Sequence, residues 1–68
     1  MLHITINDWS FDKKVQVKPG LKESTYRNTA GWTAREIHRG PKNAYVGLLV
    51  LDERGTPQGI VRHVGELP

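Results

Sequence analysis

Apolar residues in this chain come in short alternating runs that turn-forming residues cut off before a helical period is established, and this punctuation points to β structure. Leu2, Ile4 and Ile6 alternate with His3, Thr5 and Asn7, the period-two signature of a strand with one buried face. Asn7-Asp8 marks a turn. Val15 and Val17, set between Lys14, Gln16 and Lys18, repeat the alternation until Pro19-Gly20, where proline cannot donate to a ladder and glycine accepts the turn. From residue 21 to residue 31 the apolar content collapses, which predicts a long loop of the kind that often carries function. Residues 32–39 admit two readings. Thr33 followed by Glu36 fits the capping box of a short helix, but barely two turns separate Gly31 from Gly40, so a strand is the reading taken. Residues 44–51 form the clearest strand. Asp52-Glu53-Arg54-Gly55 reads as a hairpin loop with glycine in the left-handed position, and residues 60–64 as the returning strand. Five strands result, in an all-β domain.

With 68 residues and no cysteine, the chain has room for one small domain and neither a disulfide framework nor a thiolate metal site to reinforce it. A domain this small buries only about 60% of its unfolded surface, so its core must be short and tight. Alternation assigns Leu2, Ile4, Ile6, Val15, Val17, Ile37, Leu49, Leu51 and Val61 to that core. Self-association is expected on the same grounds, with a dimer as the simplest case. No internal repeat, low-complexity tract or linker divides the chain. The longest apolar run, Val46-Gly47-Leu48-Leu49-Val50-Leu51, is far below the roughly 20 residues that span a bilayer, and the amino terminus lacks a basic-then-apolar signal segment. A cytoplasmic setting is the expectation.

The net charge of +3 is unevenly placed. Between Lys13 and Lys42 eight Lys or Arg face two Glu, a local +6, whereas residues 1–12 carry −2 and residues 43–68 carry −1. Such asymmetry suits an anionic partner, against the alternative of a solvated polar face. Tyr26, Trp32 and Tyr45 accompany the basic segment, and Trp9 and Phe11 flank Ser10. Rings interleaved with cations match single-stranded nucleic acid, whose bases stack on aromatic faces while its phosphates take the positive charge. Trp32 reads more readily as a core ring. The candidate contact set is Lys18, Lys22, Tyr26, Arg27, Arg35, Arg39 and Lys42.

Several features fall in the order used by SH3-like small barrels: Lys14-Val15-Gln16-Val17-Lys18-Pro19-Gly20, a polar loop, Gly31 opening a strand, the run from Tyr45 to Leu51, Gly55, and the ending Val64-Gly65-Glu66-Leu67. Over residues 13–67 the chain resembles this family, including KOW-type domains and the small peripheral subunit of photosystem I. The resemblance implies a barrel of about five strands, with residues 2–6 as an additional amino-terminal strand, and a binding or accessory role toward RNA or protein. The tiny barrel-type dihydrofolate reductases share the fold class, but they rely on a Val-Gln-Ile-Tyr stretch where this chain has Gly59-Ile60-Val61-Arg62, a departure that argues against their activity.

Little in the chain suggests chemistry of its own. His3, His38 and His63 lack the spacing of a helical zinc site and have no cysteine partner. Asp52 and Glu53 are adjacent carboxylates, but a tight turn uses acidic residues for backbone hydrogen bonding. Ser10 and Ser24 lie outside any nucleophile-elbow motif, and Gly20, Gly31 and Gly40 form no phosphate-binding loop. The expectation is a non-catalytic module with no cofactor or metal, binding nucleic acid through a basic face. The alternative is a protein-interaction subunit, and a third reading is an oligomeric small-barrel enzyme with its site on a symmetry axis. An electrostatic binder should gather its cations on one face, whereas a protein adaptor should expose apolar surface rimmed by polar groups.

Overall fold

The computed structural model describes residues 8–68. The expected strand at residues 2–6, and with it the core assignment of Leu2, Ile4 and Ile6, lies outside the described residues. Five antiparallel strands, β1 (Ser10–Lys18), β2 (Leu21–Arg27), β3 (Thr33–Arg39), β4 (Ala44–Leu51) and β5 (Pro57–Val61), form one sheet in the order of the chain. A 3-10 turn, Val64–Glu66, follows. The sheet is an open meander and is not closed into a barrel.

The segment expected to be a long loop is mostly strand. Pro19-Gly20 is a two-residue connection, and Gly20 takes φ 82°, the left-handed position that a turn with proline before it asks of glycine. β2 returns at once along β1, pairing Lys18 with Leu21 and Val15 with Glu23. The true loop is residues 28–32, organised by Asn28. Its side-chain Oδ1 accepts from the backbone N–H of Ala30 at 2.9 Å and of Trp32 at 2.8 Å, and its backbone N–H donates to the Trp32 carbonyl at 3.0 Å. The ambiguous residues 32–39 are strand from Thr33 onward. The returning strand is set earlier than its apolar residues suggest, ending at Val61, and residues 64–66 turn instead.

Strand register assigns the faces. Tyr26 pairs with Ala34 and Ala34 with Val50, while Leu48 pairs with Val61, so these share one face. Thr25, Arg35, Leu49 and Ile60 follow each other across the sheet on the other. Only the first face holds fully buried apolar residues among those described: Ala34 at 0%, Leu48 at 1% and Val50 at 3% exposure. Trp9, Tyr26, Trp32, Val61 and Leu67 pack around them, so Trp32 is a core ring. Trp9 also donates its indole N–H to the Pro68 carbonyl at 2.6 Å, tying the start of the sheet to the end of the chain.

The core is therefore one residue out of step with the assignment from alternation. Leu49, Leu51 and Ile37 are only half-buried, on the opposite face, and Val15 and Val17 are exposed on a β1 strand that solvent reaches along its whole length. A continuous apolar run does not disclose which parity faces inward, and a shift of one residue exchanges the faces. Val61 does pack on the core.

Candidate functional site

β2 and β3 pair only through Thr25↔Arg35, Tyr26↔Ala34 and Arg27↔Thr33. Toward the Pro19-Gly20 turn the two strands separate, and side chains replace the ladder. The Ser24 N–H donates to Glu36 Oε1 at 3.0 Å, and His38 Nδ1 lies 3.3 Å from Glu23 Oε2. The other ring nitrogen, Nε2, is 4.0 Å from Glu36 Oε1. Glu23 is 7% exposed, a carboxylate that stays buried because the imidazole gives it a partner. Tyr45 packs edge-on against His38, with ring centroids 5.8 Å apart, and donates its hydroxyl to the Arg62 carbonyl at 2.7 Å. Desolvation of that hydroxyl, helped by the Glu36 charge, raises the Tyr45 pKa above its usual 10.0.

The separation opens a cleft of about 590 Å³ between the end of the β1–β2 hairpin and the outer face of β3 and β4. Val17, Leu21, Ile37 and Leu49 supply apolar lining, Lys18, Arg35 and Arg39 supply cations, and Glu23 and His38 close one side. Arg35, Ile37 and Arg39 line it together because alternate residues of a strand share a face. The lining pairs three cations with a single carboxylate, which His38 engages.

The candidate contact residues thus divide. Lys18, Arg35 and Arg39 meet in the cleft. Lys22 pairs with Gln16 within the hairpin, and Tyr26 lies half-buried on the core-side face, edge-on to Phe11 with centroids 6.0 Å apart. Arg27 is at the far end of β2, paired with Ser10 and Thr33. Lys42 is exposed in the turn between β3 and β4, outside the lining. The apolar lining and the Glu23, Glu36 and His38 ties are absent from the candidate set. The alternation Arg35-x-Ile37-x-Arg39 is the signal that announces part of the lining.

Elsewhere the carboxylates hold turns. Asp52 Oδ1 accepts from the N–H groups of Arg54 and Thr56, both at 2.9 Å, and Oδ2 accepts from the Gln58 amide at 3.0 Å. Led by the Thr56 bond, these hold the Asp52 pKa below its usual 3.8. Glu66 Oε1 accepts from the N–H of Arg62 at 2.8 Å and of His63 at 3.2 Å, which lowers its pKa from the usual 4.5, the Arg62 bond contributing most. Among the described residues no group of three or more His, Asp or Glu is placed to hold a metal ion, and no helix is long and apolar enough to cross a membrane. Comparison with family models, with curated proteins and with solved structures returned no match.

Proposed function

We propose that this chain is a non-catalytic interaction module whose cleft takes an extended protein segment carrying acidic and apolar side chains. The observation that carries this reading is the setting of Lys18, Arg35 and Arg39 around Val17, Leu21, Ile37 and Leu49. An apolar floor rimmed by guanidinium groups suits a ligand that offers carboxylates beside aliphatic side chains, since each Arg can take a carboxylate in a two-pronged hydrogen bond. A phosphate strand would want aromatic stacking surfaces beside those cations, and among the described residues no Phe, Tyr or Trp lines the cleft. The accessory role common to SH3-like small barrels agrees with this reading, and we extend the family resemblance to this open sheet as part of the same proposal. A cytoplasmic setting and self-association belong to it as well. Sedimentation equilibrium at tens of micromolar distinguishes a dimer from the 7.7 kDa monomer.

Nucleic-acid binding is the second reading, and a different surface favours it. On the core-side face of the hairpin, Phe11 is 55% exposed beside Tyr26. Lys14 pairs with Ser24 and Lys22 with Gln16 on the same side. The two readings separate in one titration of the isotope-labelled full chain. A capped peptide repeating Asp-Asp-Leu-Leu, which when extended carries both Asp and Leu on each side, should shift the amides of Leu21, Ile37 and Leu49. A mixed-sequence single strand should, on the second reading, shift Lys14, Gln16 and Tyr26, with log affinity falling about 0.7 per neutralised phosphate as salt rises. Binding of the oligonucleotide without binding of the peptide overturns the protein-ligand assignment.

A further inference from the structure

We infer that the cleft selects the spacing of its ligand, preferring the pattern acidic–x–apolar–x–acidic in an extended segment lying along β3. The inference rests on the protein-ligand reading above and sharpens it. Arg35, Ile37 and Arg39 occupy alternate positions of one regular strand: the pairing shift near Ile37 falls on β4, where Val46 is the extra residue, so β3 keeps its alternation. At about 3.3 Å per residue, Arg35 and Arg39 stand roughly 13 Å apart with Ile37 midway. An extended ligand has the same rise and the same alternation. Carboxylates four residues apart therefore meet the two guanidinium groups, and the apolar side chain between them meets Ile37 and the adjoining Leu49.

The surroundings reinforce this arrangement. Leu49 pairs directly with Arg35, which widens the apolar floor beside the first cation. Gly40, at the far end of the lining beyond Arg39, presents no side chain to block a continuing segment. Glu23 is the one carboxylate of the lining, and His38 lies against it at 3.3 Å. The recognised pattern reads the same in both chain directions, so the inference does not depend on ligand polarity.

The test uses the full chain and capped nonapeptides. In the first, two Asp lie two residues either side of a central Leu. The second has the same composition, but its two Asp are the immediate neighbours of Leu and so point to the opposite side of an extended chain. A third carries Asn in place of Asp in the first arrangement. The first peptide should bind at least about tenfold more tightly than the other two, since each of them loses both carboxylate contacts and one charge-assisted hydrogen bond alone is worth about that factor. Arg39→Gln should reduce the advantage of the first peptide over the third, while thermal unfolding shows the variant folded. Equal affinity for the first and second peptides overturns the spacing inference and leaves the acidic and apolar reading standing. Binding of the Asn peptide as tightly as the first, or failure of all three to bind, overturns both.

Discussion

The block formed by β3, β4 and β5 and the junction between β2 and β3 are held together in different ways. Between β3 and β4 the register runs from Thr33↔Leu51 to Arg39↔Ala44 with one irregularity, and Ala34, Leu48 and Val50 are buried beneath it. The junction has a short ladder, and past it the strands are joined by Glu23, Glu36 and His38. The first arrangement closes its strands through continuous backbone pairing over a buried apolar face. The second lets two strands part while Glu23 and the Ser24 N–H keep partners, and the cleft lies in that gap. The cleft arises where side-chain bonds have taken over from backbone pairing.

The comparison breaks most directly at Leu48. Leu48→Ala should destabilise the domain by about 2–5 kcal/mol, as for other buried leucines. Leu49→Ala, on the half-buried floor of the cleft, should cost about 1 kcal/mol, an ordinary point-mutant effect. Urea unfolding of both variants measures this, and a larger loss at Leu49 would reverse the assignment of faces. Gly47 tests the same block from its edge. A Cβ there would stand 2.8 Å from the Val61 carbonyl oxygen and 2.8 Å from Ile60 Cγ2. Gly47→Ala should therefore cost about 1–3 kcal/mol by overpacking, with faster amide exchange in β5 as the local sign.

At the junction, His38→Ala strands the buried Glu23 carboxylate and should cost about 1–3 kcal/mol, the penalty of an unsatisfied buried polar group. Adding Glu23→Gln should recover part of that loss by removing the charge. If the double variant is no more stable than His38→Ala alone, the junction does not depend on this pair. The smallest effect is a loosening in acid. The folded pKa values of Asp52 and Glu66 are depressed, so their contribution is fully present above the unfolded values near 3.8 and 4.5 and is lost as pH falls through the folded ones. Neither side chain is buried, and solvent screening keeps the effect small. Thermal midpoints should fall below about pH 4, and Asp52→Asn should flatten that dependence while lowering the midpoint at neutral pH.

Much of the sheet is legible from local pattern. Residues 44–51 announce themselves by length and apolar content, the strand at 33–39 follows only from the short span between Gly31 and Gly40, and the role of Asp52 in a turn follows from its neighbours. β2 is hidden because its buried positions are Glu23 and Ser24. Polar residues read as loop unless their partners are known, and those partners, Glu36 and His38, lie 12 and 15 residues further along. The cations of the cleft all belong to the candidate set, but so do Lys22, Tyr26, Arg27 and Lys42, which the fold carries elsewhere. A list of basic residues holds no information about face until the register is known.

By itself the sequence determined an all-β chain, the turns at Pro19-Gly20 and Asp52–Gly55 and the alternation Arg35-x-Ile37-x-Arg39, because these depend on backbone preferences and on neighbours one or two residues away. Tertiary structure decided which parity of the run 46–51 is buried, that the sheet stays open, and that β2 separates from β3 around the Glu23–His38 contact. Each of these depends on contacts between residues distant in the chain, where a shift of one position exchanges the core face for the face that lines the cleft.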